Sequence, residues 1–226
     1  MLRNMIMPSK TLFVTNVGSH MWSMQTPASD LDLMLVYQEN TRTILEGRKI
    51  HNTKPDRTFM QGEMLVDQKE QEIGHLINKL IDGNVNAIWT VCTPLVMQDH
   101  PYLHELRTIT QQNLSKASYA SINGMAASQF RDHIKRGKVM PEGKALKTAY
   151  RTCEFGITLL LKNKLEFKPS RECVTVSDVE WILKELEYAY THSQLPERPD
   201  EKSFRDLLFK IRMEDLMERK CFEAQS

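Results

Sequence analysis

Two acidic residues, Asp30 and Asp32, are separated by one residue at the start of an apolar run, and this placement constrains the fold more than any other feature. That run, Leu31–Tyr37, and the earlier run Thr11–Val17 have the aliphatic and β-branched composition of buried strands. Side chains two positions apart on a strand point to the same face, so the two carboxylates should share a face with Cα atoms roughly 6.6 Å apart. Such a pair can converge on a hard cation.

A Gly-Ser pair, Gly18 and Ser19, follows the first predicted strand directly, and ten residues separate it from Asp30. Glycine lets a backbone approach a phosphate closely, while a serine hydroxyl and nearby backbone N–H groups can donate hydrogen bonds to an anion. A lone Asp-x-Asp would more simply be the end of a surface strand. Its combination with Gly-Ser at this spacing, between two strands, favours a phosphate and metal site.

The rest of the chain predicts a mixed core followed by helices. Residues 38–58 are polar and are predicted to form a loop that could include a short helix, and residues 62–68 are a candidate third strand. Residues 70–84 have apolar side chains at spacings of three and four, typical of an amphipathic helix. Beyond residue 101 helices are predicted at 102–136, 144–163, 177–192 and 202–221.

The order of strand, Gly-Ser, ten residues and Asp-x-Asp resembles the DNA polymerase beta superfamily of nucleotidyltransferases. Residues 67–89 are also similar to a stand-alone minimal branch of that superfamily, found in bacteria, archaea and phages. Its members carry an Asp, a Glu five residues later, and a helix ending in Gly-Asn-Pro; here these are Asp67, Glu72 and Gly83-Asn84, with Val85 replacing the proline. The resemblance implies an α/β (α+β) fold, with a small mixed sheet and flanking helices at 1–100 and a mostly helical C-terminal region at 101–226.

A third carboxylate usually completes a two-metal phosphoryl-transfer site, and it comes from a neighbouring strand. The candidates are Glu63, Asp67, Glu70 and Glu72. The resemblance favours Asp67, with Glu63 as the alternative because the strand register is open, and it makes Glu72 a cap or brace of the next helix. With Asp30 and Asp32, Asp67 would hold two Mg²⁺ or Mn²⁺ ions beside an NTP.

A later helix carries basic residues at a helical spacing. Lys144, Lys147 and Arg151 stand at i, i+3 and i+7 of the predicted helix 144–163 and would share one face. In the minimal branch a Lys near the start of a helix is followed seven residues later by an Arg. The resemblance implies that these residues bind the nucleotide triphosphate together with Gly18-Ser19; a nucleic-acid backbone or a plain solvated face also fits the spacing.

Positive charge is concentrated in one segment of a nearly neutral chain. The formal net charge is +1, whereas residues 101–151 carry nine Lys or Arg and three acidic residues, a net charge of +6. This bias favours an RNA or tRNA 3′ end as the acceptor of the nucleotide. A protein or small-molecule hydroxyl is the alternative acceptor. A non-catalytic nucleotide-binding or antitoxin-like module is a hypothesis from a different class, against which the three carboxylates argue.

The cysteines and the hydropathy predict a cytoplasmic protein. Cys92, Cys153, Cys173 and Cys221 form no Cys-x-x-Cys pair, which is typical of free thiols in a reducing compartment. The chain has no signal-peptide pattern and no stretch of about 18 apolar residues, so no membrane contact is expected. No Gly-x-x-x-x-Gly-Lys-Ser/Thr motif occurs, which argues against a P-loop NTPase.

Two further features have competing interpretations. Trp22 lies between Ser19 and Asp30, where it would either stack on a nucleobase or fill the domain core. His100 and His104 are four residues apart, but Pro101 intervenes and no Cys or third His is near. A surface pair is therefore favoured over a zinc site.

Overall fold

The computed structural model describes residues 10–48, 50, 52–136 and 143–223. The strands are β1 (Thr11–Val17), β2 (Leu31–Tyr37), β3 (Thr53–Gln61), β4 (Met64–Glu72) and β5 (Val96–Gln98). They form a single sheet in the order β3-β4-β2-β1-β5. β2 and β4 are parallel, and the other neighbouring pairs are antiparallel. The predicted small mixed sheet with flanking helices is confirmed.

Helices surround one face of this sheet and make up the C-terminal half. They are α1 (Thr41–Leu45), α2 (Ile73–Ile81), α3 (Val85–Cys92), α4 (Pro101–Gln112), α5 (Ser118–Arg136), α6 (Lys144–Lys162), α7 (Val176–His192) and α8 (Glu201–Glu223). A 3₁₀ turn, His20–Trp22, follows Gly18-Ser19. The division into a core at 1–100 and a helical region at 101–226 stays a prediction.

The short helix that the loop at 38–58 could include is present as α1, but the prediction of a loop is wrong for residues 53–58, which form the first part of β3. β3 is an edge strand whose side chains are exposed or only partly buried, so its sequence lacks the apolar alternation of a packed strand. Pro55 lies where the register against β4 shifts, between Lys54 and Arg57, as expected for a residue that cannot donate to a strand ladder. The short β5 was not predicted either.

The predicted helix 102–136 is two helices, α4 and α5. Asn113 ends the first, and the Ser118 hydroxyl donates to the Ser115 carbonyl in the connecting segment. Such local side-chain bonds compete with a continuous helix. The Lys116 N–H also donates to the Pro196 carbonyl, which ties the break to the linker before α8.

Glu72 begins α2, as predicted. Its Oε2 accepts hydrogen bonds from the N–H of Gly74 at 2.6 Å and of His75 at 3.3 Å. Val85, which stands where the minimal branch has proline, is the first residue of α3, and its N–H donates to the Ser121 hydroxyl at 3.0 Å. A proline fits the first turn of a helix but could not make that bond.

The side chains on the two faces of β2 belong to two different apolar clusters. Leu31, Leu33 and Leu35 belong to a smaller cluster on one face, and Val36 belongs to the larger cluster formed with the helices. Because side chains alternate along a strand, Asp32 faces the helical side. The chemistry therefore lies in the cleft between the sheet and the helices.

Cys92 and Cys153 are buried and Cys173 is exposed, and all three are free thiols, as expected; the Cys221 side chain lies outside the description. Among the described residues, no helix combines the length and apolar character needed to cross a bilayer.

Candidate active site

Three carboxylates lie together where the parallel strands β2 and β4 begin to pair. Asp32 is the second residue of β2 and is in register with Asp67 of β4, while Asp30 immediately precedes β2. One oxygen of each lies within 4.8 Å of the others. Glu63, the alternative third carboxylate, is exposed in the turn between β3 and β4. The parallel pairing of β2 with β4 thus brings Asp67 to the Asp-x-Asp pair.

A hydrogen bond from the edge strand holds Asp67. Thr58 of β3 lies directly opposite Asp67, and its hydroxyl donates to Asp67 Oδ1 at 2.7 Å. This leaves Asp67 Oδ2 for another partner. Sequence reasoning missed Thr58 because residues 53–58 were expected to be loop.

Burial and mutual repulsion both act on the charge of the triad. Burial and the negative charges of Asp30 and Asp67 raise the pKa of Asp32, against the opposing effect of Lys69 and Lys144. A divalent cation among the carboxylates would relieve this repulsion. Three converging carboxylates are the hard oxygen donors that Mg²⁺ and Mn²⁺ prefer, so the residues present fit the predicted ions.

The Gly-Ser loop closes over Asp32. Gly18 has a φ of 70°, and a Cβ at this position would lie 1.8 Å from Asp32 Oδ2. Only glycine combines this backbone conformation with so close an approach. The adjacent Ser19 hydroxyl is buried and meets no hydrogen-bond partner in the described part of the chain.

The basic residues on one face of α6 become more buried along the helix. Lys144 is exposed, Lys147 is partly buried, and Arg151 is buried with 9% of its surface exposed. The interpretation as a plain solvated face is therefore wrong for Arg151.

Arg151 is a buried cation without a carboxylate partner among the described residues. Its Cζ lies 4.7 Å from the centre of the Trp22 ring, and Nη1 donates to Met24 Sδ at 3.4 Å. Its Nε has no partner there. Burial lowers the pKa of Arg151 to about 10, so the guanidinium is still protonated near pH 7. An anion beside it would compensate this charge.

Trp22 fills the core rather than standing free to stack on a base. It is 1% exposed and packs against Trp89, Phe155 and Phe167, with ring centroids 5.4, 5.8 and 5.2 Å away. This aromatic cluster contacts Arg151 through the Trp22 ring. It also joins the loop after β1 to α3 and α6.

A cavity of about 430 Å³ opens beside the triad, between the sheet and α3. Gly18, Asp32 and Arg151 contribute to its wall, and so do Gln71 of β4 and Trp89 of α3. Sequence reasoning missed Gln71 because residues 70–84 were predicted to be a helix, whereas β4 extends to Glu72. Gln71 therefore shares a strand face with Asp67, four residues earlier.

Part of the charge in residues 101–151 is engaged internally. Arg107 donates to the carbonyls of Val91 and Thr93 at 3.0 and 2.9 Å, and Lys116 pairs with Glu197 at 2.9 Å. Lys138 and Glu142 lie outside the described residues, as do the side chains of Asp132, Lys135 and Arg136. Within this segment, Arg107 and Lys116 therefore have internal partners.

The histidine pair is a structural feature of α4. His100 caps the helix by accepting from the Tyr102 N–H, and His104 Nε2 lies 2.8 Å from Asp99. In the described segments, the aspartate triad is the one cluster with metal-ligand geometry.

Comparison with protein-family models identifies one family. The model of the RNA repair pathway DNA polymerase beta family matches residues 4–155, which include the triad, the Gly-Ser loop and Arg151. The chain is also similar in structure to a nucleotidyltransferase-like protein from Exiguobacterium sibiricum 255-15, with 12% sequence identity and a TM-score of 0.36 over 90% of this chain and 74% of that chain. A search of curated proteins finds no match.

Proposed function

The chain belongs to the RNA repair pathway DNA polymerase beta family, and from this premise we propose that it transfers a nucleoside monophosphate from an NTP to the 3′ end of an RNA or tRNA, releasing pyrophosphate. The observation that carries the proposal is the triad of Asp30, Asp32 and Asp67, whose oxygens lie within 4.8 Å of one another beneath the Gly-Ser loop. Membership of a polymerase beta family supports the reaction class. The net charge of residues 101–151 supports the choice of acceptor.

The triad would hold two Mg²⁺ or Mn²⁺ ions. When bound there, such ions neutralise phosphate charge and act as Lewis acids toward the attacking and leaving oxygens. Thr58 fixes the orientation of Asp67, and the close approach of Gly18 to Asp32 keeps the loop over the metal ligands. The protein's own part is to hold these groups in place before substrate arrives.

The Gly-Ser loop and α6 would hold the triphosphate. The backbone at Gly18 and the Ser19 hydroxyl, which has no partner among the described residues, would donate to the β- and γ-phosphates. The Arg151 guanidinium would donate hydrogen bonds to the phosphates. Lys144 and Lys147 would add positive charge at the solvent-exposed side of the site. Catalysis by positioning and charge needs no covalent protein intermediate.

Transfer to an RNA 3′ end is tested with α-labelled NTPs. The protein is incubated with each NTP, Mg²⁺ and total RNA, alongside RNA whose terminal diol has been oxidised by periodate. We expect label on untreated RNA and none on oxidised RNA. Label on protein, or on a small molecule, would replace the proposed acceptor. Failure of every NTP to leave label on any acceptor would favour the antitoxin-like module.

A further inference from the structure

We infer that a second site, a groove along α6, binds a ribose phosphate and distinguishes RNA from DNA through Glu154. The inference goes beyond the proposed function, because this α6 groove lies outside the cavity of the triad. The two share only the RNA that would supply the ribose. Thr158, Lys162 and the segment 166–169 of its wall come after residue 155, where the family match ends.

The α6 groove lies between α6 and the chain segment that follows this helix. It encloses about 220 Å³, enough for a sugar and a phosphate. One side is a face of α6, and the other is the segment 166–169. Trp22 and Arg151 line both this groove and the cavity beside the triad, so the groove adjoins the proposed active site.

Three polar side chains of α6 line the groove at intervals of four residues: Glu154, Thr158 and Lys162. Residues four apart share a helix face, and the three span about 12 Å along the helix axis. Within the described ranges, none of the three side chains makes a hydrogen bond or an ion pair. Glu154 and Thr158 are partly buried and Lys162 is exposed, so a ligand in the groove can reach all three.

The facing side of the groove carries charges that neutralise each other. Glu166 and Lys168 form an ion pair at 2.6 Å, and Pro169 beside them is apolar. Glu154 and Lys162 therefore remain as one unpaired carboxylate and one unpaired cation on the α6 side. A ligand that carries both hydroxyl donors and a phosphate matches this pair.

Sugar chemistry makes Glu154 selective for ribose. Burial raises the pKa of the Glu154 carboxyl, against the opposing positive charges of Arg171 and Lys168, and a hydroxyl that donates to the carboxylate would stabilise its charged form. The 2′-hydroxyl of ribose is such a donor and is absent from DNA. Acidic side chains bind this hydroxyl in dinucleotide sites. Lys162 would contact the phosphate, which RNA and DNA share.

Titrations with oligouridylate and oligodeoxyuridylate of equal length, in Mg²⁺ without NTP, test the site. The wild type should bind the RNA about tenfold or more tightly than the DNA. Glu154→Met removes the acceptor and should lower the RNA affinity to about that of DNA. Lys162→Gln should weaken both about equally and flatten the salt slope by about 0.7. Glu180→Met, at an exposed position of α7, should keep the wild-type ratio.

Free UMP separates the two sources of a ribose phosphate. Binding of UMP that is much weaker than that of oligouridylate, with both lowered by Glu154→Met, supports an RNA strand as the ligand. Binding of UMP as tight as that of oligouridylate, and lost in Glu154→Met, supports a ribose phosphate site that a free nucleotide fills.

The outcomes separate this inference from the proposed function. Equal affinity of the wild type for RNA and DNA would overturn the α6 groove as a ribose site, and so would an RNA-to-DNA ratio that Glu154→Met leaves unchanged. Label transfer from NTP to RNA would still stand in either case. Absence of label transfer, with a ratio that depends on Glu154, would contradict the proposed function and leave the groove in place. Melting curves of each variant show that the comparison is made on folded protein.

Discussion

Arg151 sits in surroundings that oppose its charge. It is 9% exposed, stacks on Trp22, and has no carboxylate partner within the described ranges. Burying a charge without an opposite charge costs free energy. An anionic ligand beside Arg151 would offset this cost. In the proposed function that ligand is the triphosphate.

Arg151→Met should therefore separate stability from binding. We expect the melting temperature to stay the same or rise, because an apolar side chain of similar length replaces a desolvated cation. NTP affinity should fall about tenfold or more, because a charge-assisted contact is lost. Calorimetric titration and thermal melts on the same preparation measure both. An unchanged NTP affinity would remove Arg151 from the site.

Thr58 provides a second test at this scale. Thr58→Val keeps the side-chain shape but removes the hydroxyl that orients Asp67, so the Mg²⁺ concentration for half-maximal activity should rise by about tenfold. The rate at saturating Mg²⁺ should change less. Thr58→Ser retains the hydroxyl and should restore the wild-type Mg²⁺ dependence. Equal Mg²⁺ dependence in the Val and Ser variants would show that the bond has no role in metal binding.

At the scale of elements, α8 ties the end of the described chain to its beginning. Asp215 of α8 accepts from Lys10 Nζ at 3.1 Å and from the Thr41 N–H at 2.9 Å, and Arg212 pairs with the helix-capping Glu72 at 2.6 Å. These contacts connect α8 to β1, α1 and α2. The helix thus braces the sheet from which the triad projects.

Lowering the pH should weaken the contacts of Asp215 that hold α8 against the rest of the protein. Burial alone would raise the pKa of Asp215, but the hydrogen bonds from Thr41 and Lys10 lower it to about 2. A carboxylate with a depressed folded-state pKa stabilises above its unfolded pKa of about 3.9, and the benefit is lost as the pH falls toward 2. The full contribution is roughly 2–3 kcal/mol.

Asp215→Asn should lower the melting temperature at pH 6 and match the wild type at pH 2. Thermal melts of both proteins between these values measure the difference. A constant difference across the whole range would show that the carboxylate charge does not contribute to stability.

Elements with a clear apolar pattern could be predicted from sequence. Both β1 and β2 have the predicted bounds, because their buried side chains give continuous apolar runs. β3 could not be predicted in the same way, because an edge strand with partly exposed side chains shows no regular alternation of apolar and polar residues. The position of Asp67 beside Asp32 was implied by the resemblance, but their register depends on the parallel pairing of β2 and β4. Thr58 and Gln71 could not be singled out without that register.

At the scale of the whole molecule, positive charge is concentrated in one segment of the chain. The chain is nearly neutral, yet residues 101–151 carry a net charge of +6. Arg107, Lys116 and Arg151 are already engaged or buried. Lys144 and Lys147 lie in the first turn of α6, where Lys144 is exposed and Lys147 is partly buried. In the proposed function these two residues would meet the incoming strand.

Salt titrations of RNA binding test which of these basic residues contact RNA. Binding to single strands should weaken with salt, with a log–log slope of roughly −0.7 per phosphate contact. Lys147→Gln should flatten the slope by about 0.7, whereas Lys116→Gln should leave it unchanged because Glu197 already neutralises Lys116. If Lys147 serves only the triphosphate, its variant will weaken NTP binding and leave the RNA slope intact. Absence of RNA binding at low salt would contradict an RNA acceptor.

The most direct test of nucleotidyl transfer at the triad compares two positions of the label in one NTP. With Mg²⁺ and RNA, wild-type protein should move an α-phosphate label to RNA and release a γ-phosphate label as pyrophosphate. Asp32→Asn, which keeps the side-chain shape but removes a metal-binding charge, should do neither while melting as a folded protein. Transfer of the γ-label to RNA, or near-wild-type transfer by Asp32→Asn, would contradict the account.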